Sequence, residues 1–437
     1  MAVEKQMTPA ELSEKVLAEQ EEKIQVEIEN PDSVSVQTED GGVIIDFEGN
    51  KTEEILGPQH DSNLAEFLED AQLEELASEL IDNFTTDRQS RGDWAKSYVK
   101  GLDLLGMKIE ERQQPWSGAS GVFHPVLTES IVRFQAQAMG EIFPASGPVR
   151  TKIMGKQTTE KSDQANRVEN EMNYMLTEEM TEYRDETEQM LFKLPLAGSA
   201  FKKVYFDPLL ERPCAMFVPA EDFVVSYGAT DLMTCARYTH VMKKSSNEIA
   251  KLMVNGFYKD IDLPDPEADM SDIQEKYDEL DGESAIIEDD DRHTLLEMHA
   301  DLELPEPFND EDNIARPYVV TLDKSSKQIL SIRRNYYEDD EKKKKTQYFV
   351  HYKYLPGLGF YGTGLIHLIG GLAKSATSIL RQLIDAGTLS NLPAGLKARG
   401  LRIKGDDSPL MPGEFRDVDV PGGAIRAAIT FIPYKEP

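Results

Sequence analysis

Apolar residues recur at helical spacing through the first half of the chain. From Asn63 onward, LAEFLEDAQLEELASELIDNFTTDRQS and DWAKSYVKGLDLLGM each predict an amphipathic helix. After the irregular loop QQPWSGASGVFHP, VLTESIVRFQAQAMGEIF predicts a helix that ends before Pro144. A longer helical pattern covers residues 161–192, and methionines at such spacing are expected to fill gaps in a core. They are Met172, Met175, Met180 and Met190.

Strand patterns replace the helical ones after residue 200. The stretches FKKVYFD, AMFVPAEDFVVS and ARYTHVMKK alternate apolar with polar residues, which predicts an antiparallel meander. SNEIAKLMVNGFY then predicts a short helix, and the acidic residues 259–290 predict a loop or projection with one possible helix. Four more strand candidates follow: TLLEMHADLEL, PYVVTLD, QILSIRRNYY and TQYFVHYKYL. Helices and antiparallel strands in this order predict an α+β fold.

A last helix is predicted to begin at Thr363, which can cap it, and to end at Gly387. One face of this helix is apolar and the other is polar. The apolar face holds Leu365, Leu368, Leu372, Ala376, Ile379, Leu380 and Leu383. The polar face holds Lys374, Ser378, Arg381 and Asp385.

The net charge of this chain argues against tight binding of nucleic acid. Its 437 residues, enough for two or three domains, carry 80 acidic and 47 basic side chains, a formal charge of -33. Such a surface repels a duplex at long range.

Cys214 and Cys235 are too few for a disulfide framework or a four-cysteine zinc site, and we expect buried thiols. The charged N-terminus lacks the apolar segment of a signal peptide.

The uncharged stretch YLPGLGFYGTGLIHLIGGLA raises two alternatives. Gly357, Gly359 and Gly362 spell GxGxxG between a strand and a helix, as in a nucleotide-dependent oxidoreductase. The acidic residue expected about 20 positions later falls on Asp385, inside a helical pattern, and no parallel strand is predicted. A membrane span is the second alternative, but Pro356 and six glycines dilute the stretch and would break the first half of such a helix.

Catalytic and metal-binding patterns are thin. The serines in GASG and AGSA lack the spacing of GxSxG, and the seven histidines are scattered. Asp289, Asp290, Asp291 and His293 could bind a metal, but EDDDRH lacks the glycine and alternation of a calcium loop. The strip LKARGLRIKG could touch phosphates or form the solvated face of a strand.

Several long, ordered stretches carry a resemblance to a known family. They are QPWSGASGVFHPVLTESIVRFQAQAMGEIFP, LPLAGSAFKKVYFDP, FVPAEDFVVSYGATDL, RYTHVMKKSSNEIAKLMVNGFY and GLGFYGTGLIHLIGGLAKSATSILRQLIDAGTLSNLPAG. The chain resembles the portal, or head-to-tail connector, proteins of tailed bacteriophages, most of all those of short-tailed phages. The resemblance covers roughly residues 65–437 and rests on order and extent, since none of the stretches is a catalytic signature.

The resemblance implies a structural protein without a cofactor, a metal or an active site. It implies a ring of usually twelve copies at one capsid vertex, through which double-stranded DNA passes. Implied partners are the terminase large subunit, a head-tail adaptor, and the major capsid and scaffolding proteins, with no membrane. The protein would act in the virion after assembly in the host cytoplasm.

The resemblance also implies a division of the chain. The segments are 1–62, an acidic and disordered N-terminal arm; 63–240, a wing; 241–285, a first stem helix region and acidic connection; 286–362, a clip; 363–388, a second stem helix; and 389–437, wing strands leading to a tunnel loop. The chain ends at FIPYKEP, directly after an apolar run, and we expect a truncated reading frame.

Two groups of residues are singled out as sites. Channel or interface contacts are expected at Lys397, Arg399, Arg402, Lys404 and Arg426. The stem bend and its helix packing are expected at Pro356, Gly357, Gly359, Gly362, Gly364, Gly370 and Gly371. Glycines at the bend would give the backbone room.

Overall fold

The chain divides into two units, Met1–Ser62 and Asn63–Pro437, in a computed structural model. The structure describes residues 58–107, 112, 118–207, 210–266, 270–282, 292–305, 307–308 and 314–391, together with the backbone of six short strands. In the first unit, strands β1 (Ser35–Gln37) and β2 (Val43–Ile45) pair antiparallel. The remainder of the predicted N-terminal arm, apart from residues 58–62, lies outside the described residues.

Eight α-helices occur in the described part of the second unit. They are α1 (Asp70–Ser90), α2 (Gly92–Leu102), α3 (Val126–Ile142), α4 (Thr159–Tyr174), α5 (Tyr183–Ala197), α6 (Ser246–Val254), α7 (Asp272–Asp281) and α8 (Leu365–Asn391). Local signals explain several ends: a capping box at Ser245 begins α6, and Gly198, in the left-handed region, ends α5. The helical regions before residue 200 are therefore confirmed.

Two antiparallel sheets of more than two strands lie in the same unit, in addition to two pairs of short strands after residue 394. The strands of the two sheets are β3 (Ser199–Asp207), β4 (Arg212–Pro219), β5 (Phe223–Val225), β6 (Arg237–Ser245), β7 (Arg292–Leu302), β8 (Arg316–Asp323), β9 (Ile329–Arg334) and β10 (Phe349–Lys353). The first sheet has the order β10-β3-β4 and the second β5-β6-β7-β8-β9. The α+β class is confirmed, whereas its arrangement as wing, stem and clip stays a prediction.

The sheets do not form the single meander that the strand patterns suggested. AMFVPAEDFVVS is split by a 3-10 turn, Ala220–Asp222, so that β4 pairs in one sheet and β5 in the other. Strand β10 pairs with β3, with Tyr352 opposite Ala200, and not with the preceding β9. The five-stranded sheet thus joins strands on both sides of the predicted wing and clip boundaries, which stay a prediction.

The long helical pattern at 161–192 is interrupted. Helix α4 continues into a π-helical turn, Met175–Glu179, and α5 begins three residues after Met180. Met180 and Met190 are buried as expected, but Met172 is 43% exposed on α4. The core prediction is therefore wrong for Met172, because no other described element covers that side of its helix.

The acidic segment 259–290 is less of a projection than its composition indicates. Its helix α7 buries Ile273 and packs against α2. The Tyr277 hydroxyl lies 2.8 Å from the Tyr98 hydroxyl and donates to Glu221 Oε1, also at 2.8 Å. The possible helix in this segment is therefore confirmed as α7. The expectation of a projection is wrong there, because α7 packs an apolar and hydrogen-bonded face against the protein and turns its acidic face outward.

The core consists of apolar clusters between the layers. The largest joins α2, α3 and α5 to both sheets around Phe201, Phe223 and Phe349. A second lies between α1 and the five-stranded sheet, around Leu80 and Val320. Cys214 and Cys235 are both free and buried, as predicted.

Candidate functional site

The glycine segment, residues 354–364, packs its backbone directly against the end of α5. A Cβ added to Gly362 would lie within 3.0 Å of the Gly198 carbonyl oxygen, and one added to Gly364 equally close to that of Leu196. Gly198 itself has φ +90° and faces the Gly364 backbone. Since backbone cannot move aside as a flexible side chain can, this contact requires glycine at all three positions.

Hydrogen bonds close the segment into a fixed loop. The Thr363 amide donates to the Leu355 carbonyl at 2.8 Å, and the Tyr354 amide donates to the Gly198 carbonyl at 3.0 Å. The Gly362 amide donates to the Ser199 hydroxyl at 2.8 Å. The segment is therefore tied at both ends to the α5–β3 junction.

Arg91 holds the middle of the segment through Tyr361. Its guanidinium lies 4.3 Å from the centre of the Trp94 ring and 4.9 Å from that of Tyr361. It donates to the Tyr361 hydroxyl at 2.8 Å and to the carbonyls of Ala220 and Phe223 at 2.7 and 2.6 Å. A planar guanidinium can stack and donate in this way, whereas a lysine cannot.

A column of stacked rings runs from the glycine segment through both sheets. Its centroid separations lie between 4.0 and 5.4 Å, and its interplanar angles do not exceed 27°. The rings, in order, belong to Phe360, His351, Phe201, Phe223, Tyr238 and His299. Burial lowers the pKa of His351 to about 4, so this ring is neutral near pH 7. The column therefore connects the glycine segment to the hydrophobic core without a break.

A buried charge pair lies at the far end of the column. Lys203 on β3 pairs with Glu297 on β7, and His299 Nε2 lies 3.0 Å from the other Glu297 oxygen. Burial raises the pKa of Glu297, but the Lys203 ammonium and the His299 hydrogen bond outweigh it and hold the pKa well below its usual range. The pair joins the two sheets electrostatically.

Helix α8 leaves the glycine segment with its small residues facing the core. Its buried positions are Ile366, Gly370, Ala373 and Thr377. Ile366 packs on Gly101 of α2, and a Cβ at Gly370 would meet Leu104 at 3.5 Å. Small side chains at intervals of three and four let α8 approach α2 closely.

Four large apolar residues of α8 are exposed. Leu368, Leu372, Ile379 and Leu383 are 48%, 72%, 65% and 54% exposed, and we call these four the α8 stripe. The amphipathic pattern is therefore real, but its apolar face is not the one that the chain itself buries. The predicted end at Gly387 is also wrong, because α8 continues to Asn391.

The predicted bend residues differ in their surroundings. Gly357 faces the Tyr361 carbonyl oxygen and Gly370 faces the Leu104 side chain, whereas Gly359 and Gly371 have open space where a Cβ would lie. Pro356 is exposed. The residues that the sequence reasoning missed are Arg91, Gly198 and Ser199, although AGSA at a helix–strand boundary was a usable signal for a tight turn.

The basic residues Lys397, Arg399, Arg402, Lys404 and Arg426 are not brought together by anything the structure describes. The backbone of Lys397 lies in a short strand, Gly395–Lys397, and that of Arg402 in another, Arg402–Ile403. The side chains of all five lie outside the described residues.

The alternative sites find little support in the described residues. Strand β10, which precedes the GxGxxG, pairs antiparallel with β3. The amides of Gly362 and Thr363 bond within the protein, so they are not directed at a phosphate. No helix in the described ranges is sufficiently long and apolar to span a membrane. The same ranges hold no cluster of three or more potential metal ligands, and Asp289, Asp290 and Asp291 lie outside them.

Comparison with known proteins identifies the family. No curated protein matches the chain. The family model described as phage SU10 portal protein matches residues 148–400, which is more than half of the 437 residues and includes both sheets, the glycine segment and α8. The chain therefore belongs to the SU10 portal protein family and is a portal protein of a tailed phage.

Proposed function

We propose that the protein is a ring subunit, in a ring of twelve copies at one capsid vertex. The ring conducts double-stranded DNA during packaging and ejection and docks the terminase large subunit and later the head-tail adaptor. The family match over residues 148–400 carries this proposal. Its role is structural, and its place is the virion.

The α8 stripe supports assembly. Four large apolar side chains in line on one helix face cost free energy in water, at about 25 cal/mol per Å² of apolar surface. Exposed patches of this kind mark surfaces that bind other proteins. We assign the α8 stripe to the contact between neighbouring copies.

The net charge supports a channel that does not bind DNA tightly. Twelve copies at -33 each carry 12 × -33 = -396. Such a ring repels the phosphate backbone overall, so DNA can slide through it without sequence recognition. The proposed wing (63–240), clip (286–362) and second stem helix (363–388) keep the bounds given above.

Assembly can be tested with one surface substitution and a matched control on the same helix. Leu372→Glu places a charge in the α8 stripe, whereas Ser378→Glu places the same charge on the polar face of α8. Native mass spectrometry and negative-stain images of the wild-type chain should show rings, and Leu372→Glu should reduce them while Ser378→Glu leaves them unchanged. A wild-type chain that stays monomeric at micromolar concentration would contradict the proposal.

A further inference from the structure

Helix α4 is stable in this fold without burying any of its own residues. None of the positions in Thr159–Tyr174 is buried, in contrast to the neighbouring α3 and α5. An isolated helix of this length is marginal in water, because helices in proteins draw most of their stability from packing an apolar face. A surface that covers α4 is therefore expected.

Hydrogen bonds hold one side of the helix to the segment that precedes it. Asn173 and Val149 exchange two hydrogen bonds, of 2.9 and 3.1 Å. The Glu169 carboxylate accepts from the Thr151 amide and hydroxyl at 3.0 and 2.9 Å. We call residues 148–174 the arm, since these polar contacts join its two halves without an apolar core.

Exposed apolar residues lie beside these polar contacts. Val168 and Met172 are 44% and 43% exposed, one helical turn apart, and Met154 is 82% exposed. Asn166 and Asn170 are exposed on another side of α4. The arm therefore has one side suited to packing and another suited to water.

The first part of the arm is basic in a strongly acidic protein. Residues 148–158 have three basic and no acidic side chains, whereas α4 has two basic and four acidic ones. Within the described residues, Lys152 and Lys156 are in no salt bridge, whereas Arg150 donates to the Ser146 hydroxyl at 3.1 Å and its charge helps to lower the pKa of Glu169. The two lysines are thus available to an acidic surface.

The same chain offers acidic surfaces of the required kind. Helix α1 exposes Glu74, Glu75, Glu79 and Asp82 along its outer side. Helix α7 exposes Asp272, Glu275, Glu279 and Asp281. A basic patch and an acidic patch at different places on one subunit make a head-to-tail contact, and contacts of that kind close into rings.

We propose that the arm binds a neighbouring copy of this chain, with its basic residues 148–158 against the acidic surface of that copy and with Val168 and Met172 forming the apolar part of the contact. This inference rests on the proposed ring, and it adds which part of the subunit reaches across. A second copy is favoured over nucleic acid because exposed Val168, Met172 and Met154 suit a protein surface, and because Glu160, Asp163 and Glu171 interrupt the cations along α4.

The test compares two double variants of the full chain. Val168→Glu with Met172→Glu charges the contact, whereas Asn166→Glu with Asn170→Glu adds the same charges to the same helix away from it. Sedimentation velocity should show the apparent dissociation constant of the assembly rising by roughly tenfold or more in the first variant and little in the second. Circular dichroism and thermal unfolding check that both variants stay folded.

Cross-linking provides an independent readout. In a mixture of ¹⁵N-labelled and unlabelled chains, a carbodiimide should join Lys152, Lys156 or Lys161 of one copy to acidic residues of the other.

If the wild-type chain assembles but neither variant weakens the assembly and no such cross-link forms, the arm is not the contact and the ring proposal stands. A monomeric wild-type chain contradicts both. Loss of duplex DNA binding in a Lys156→Glu, Lys161→Glu variant with normal assembly would assign the arm to nucleic acid instead.

Discussion

Gly359 and Gly362 lie three positions apart in one loop, yet they tolerate different side chains. A methyl group at Gly362 would collide with the Gly198 carbonyl, whereas one at Gly359 would meet nothing within 4 Å. We expect Gly362→Ala to lower the free energy of unfolding by about 1–3 kcal/mol, the usual cost of overpacking. Gly359→Ala should change it by less than about 1 kcal/mol.

Urea unfolding monitored by circular dichroism measures both variants. Gly371→Ala is a second control, because its side chain has open space inside α8 and alanine favours helix by up to about 1 kcal/mol. Equal unfolding midpoints for Gly359→Ala and Gly362→Ala would show that the backbone contact with Gly198 is not rigid.

His240 should make stability depend on pH. Burial lowers its pKa to about 3 in the folded protein from an ordinary value of 6.5. Below pH 6.5 the unfolded chain therefore binds a proton that the folded protein does not. The contribution of His240 to the free energy of unfolding should therefore fall by about 1.4 kcal/mol per unit as pH drops from 6 to 4.

The variant His240→Gln isolates this contribution. Asp222 acts in the opposite direction, since burial raises its pKa to about 7, but it is present in both proteins and cancels in the comparison. The stability difference between wild type and His240→Gln, measured by urea unfolding across this range, should change with pH. Parallel curves would mean that His240 takes up a proton in the folded protein as well.

Tyr277 contributes to the attachment of helix α7. Its Tyr277 hydroxyl bonds to Tyr98 and Glu221, and Glu221 also accepts from Lys193 at 3.1 Å. Removing the hydroxyl leaves buried oxygens with fewer partners, at about 1–3 kcal/mol. We expect Tyr277→Phe to increase hydrogen exchange across Asp272–Asp281.

Mass spectrometry of exchanged peptides tests this attachment. Amides of Ser246–Val254, which make no contact with Tyr277, should exchange as before. Tyr174→Phe, at a tyrosine 58% exposed, is the matched control and should leave α7 unchanged. If α7 exchanges equally fast in wild type and Tyr277→Phe, the helix is held by its other contacts, such as buried Ile273 and the 2.6 Å ion pair between Lys276 and Asp103.

The net charge of the chain predicts its affinity for DNA. At -33 per chain, long-range repulsion should leave no measurable duplex binding at 0.15 M salt, where the Debye length is about 8 Å. Fluorescence anisotropy of a labelled duplex with micromolar protein checks this. Micromolar affinity that falls steeply with salt would instead indicate a basic surface strong enough to hold phosphates.

Local pattern predicts local structure well in this protein. The helical spacing of Leu73, Leu76 and Leu80 matches the side of α1 that is buried, and the segment ending before Pro144 forms α3. These predictions hold because a helix face is set by residues three and four positions apart. The α+β class follows from the same kind of evidence.

Pairing and packing between distant residues escaped the sequence reasoning. Strand β10 pairs with β3, although all the strands of the five-stranded sheet lie between them in the sequence. Position 362 requires glycine because the Gly198 backbone occupies the space of a side chain. No local pattern reports such contacts. The candidate site was located by its glycines, but which of them are required could not be predicted.

Periodicity and composition were thus enough to identify the elements, the fold class, the acidic character and the stretches shared with a family. The folded chain settled which strands share a sheet, which glycines meet backbone, and that α8 buries Gly370 and Ala373 while Leu372 and Ile379 face outward. The physical reason is that periodicity depends on near neighbours, whereas burial depends on what the rest of the chain brings to each face.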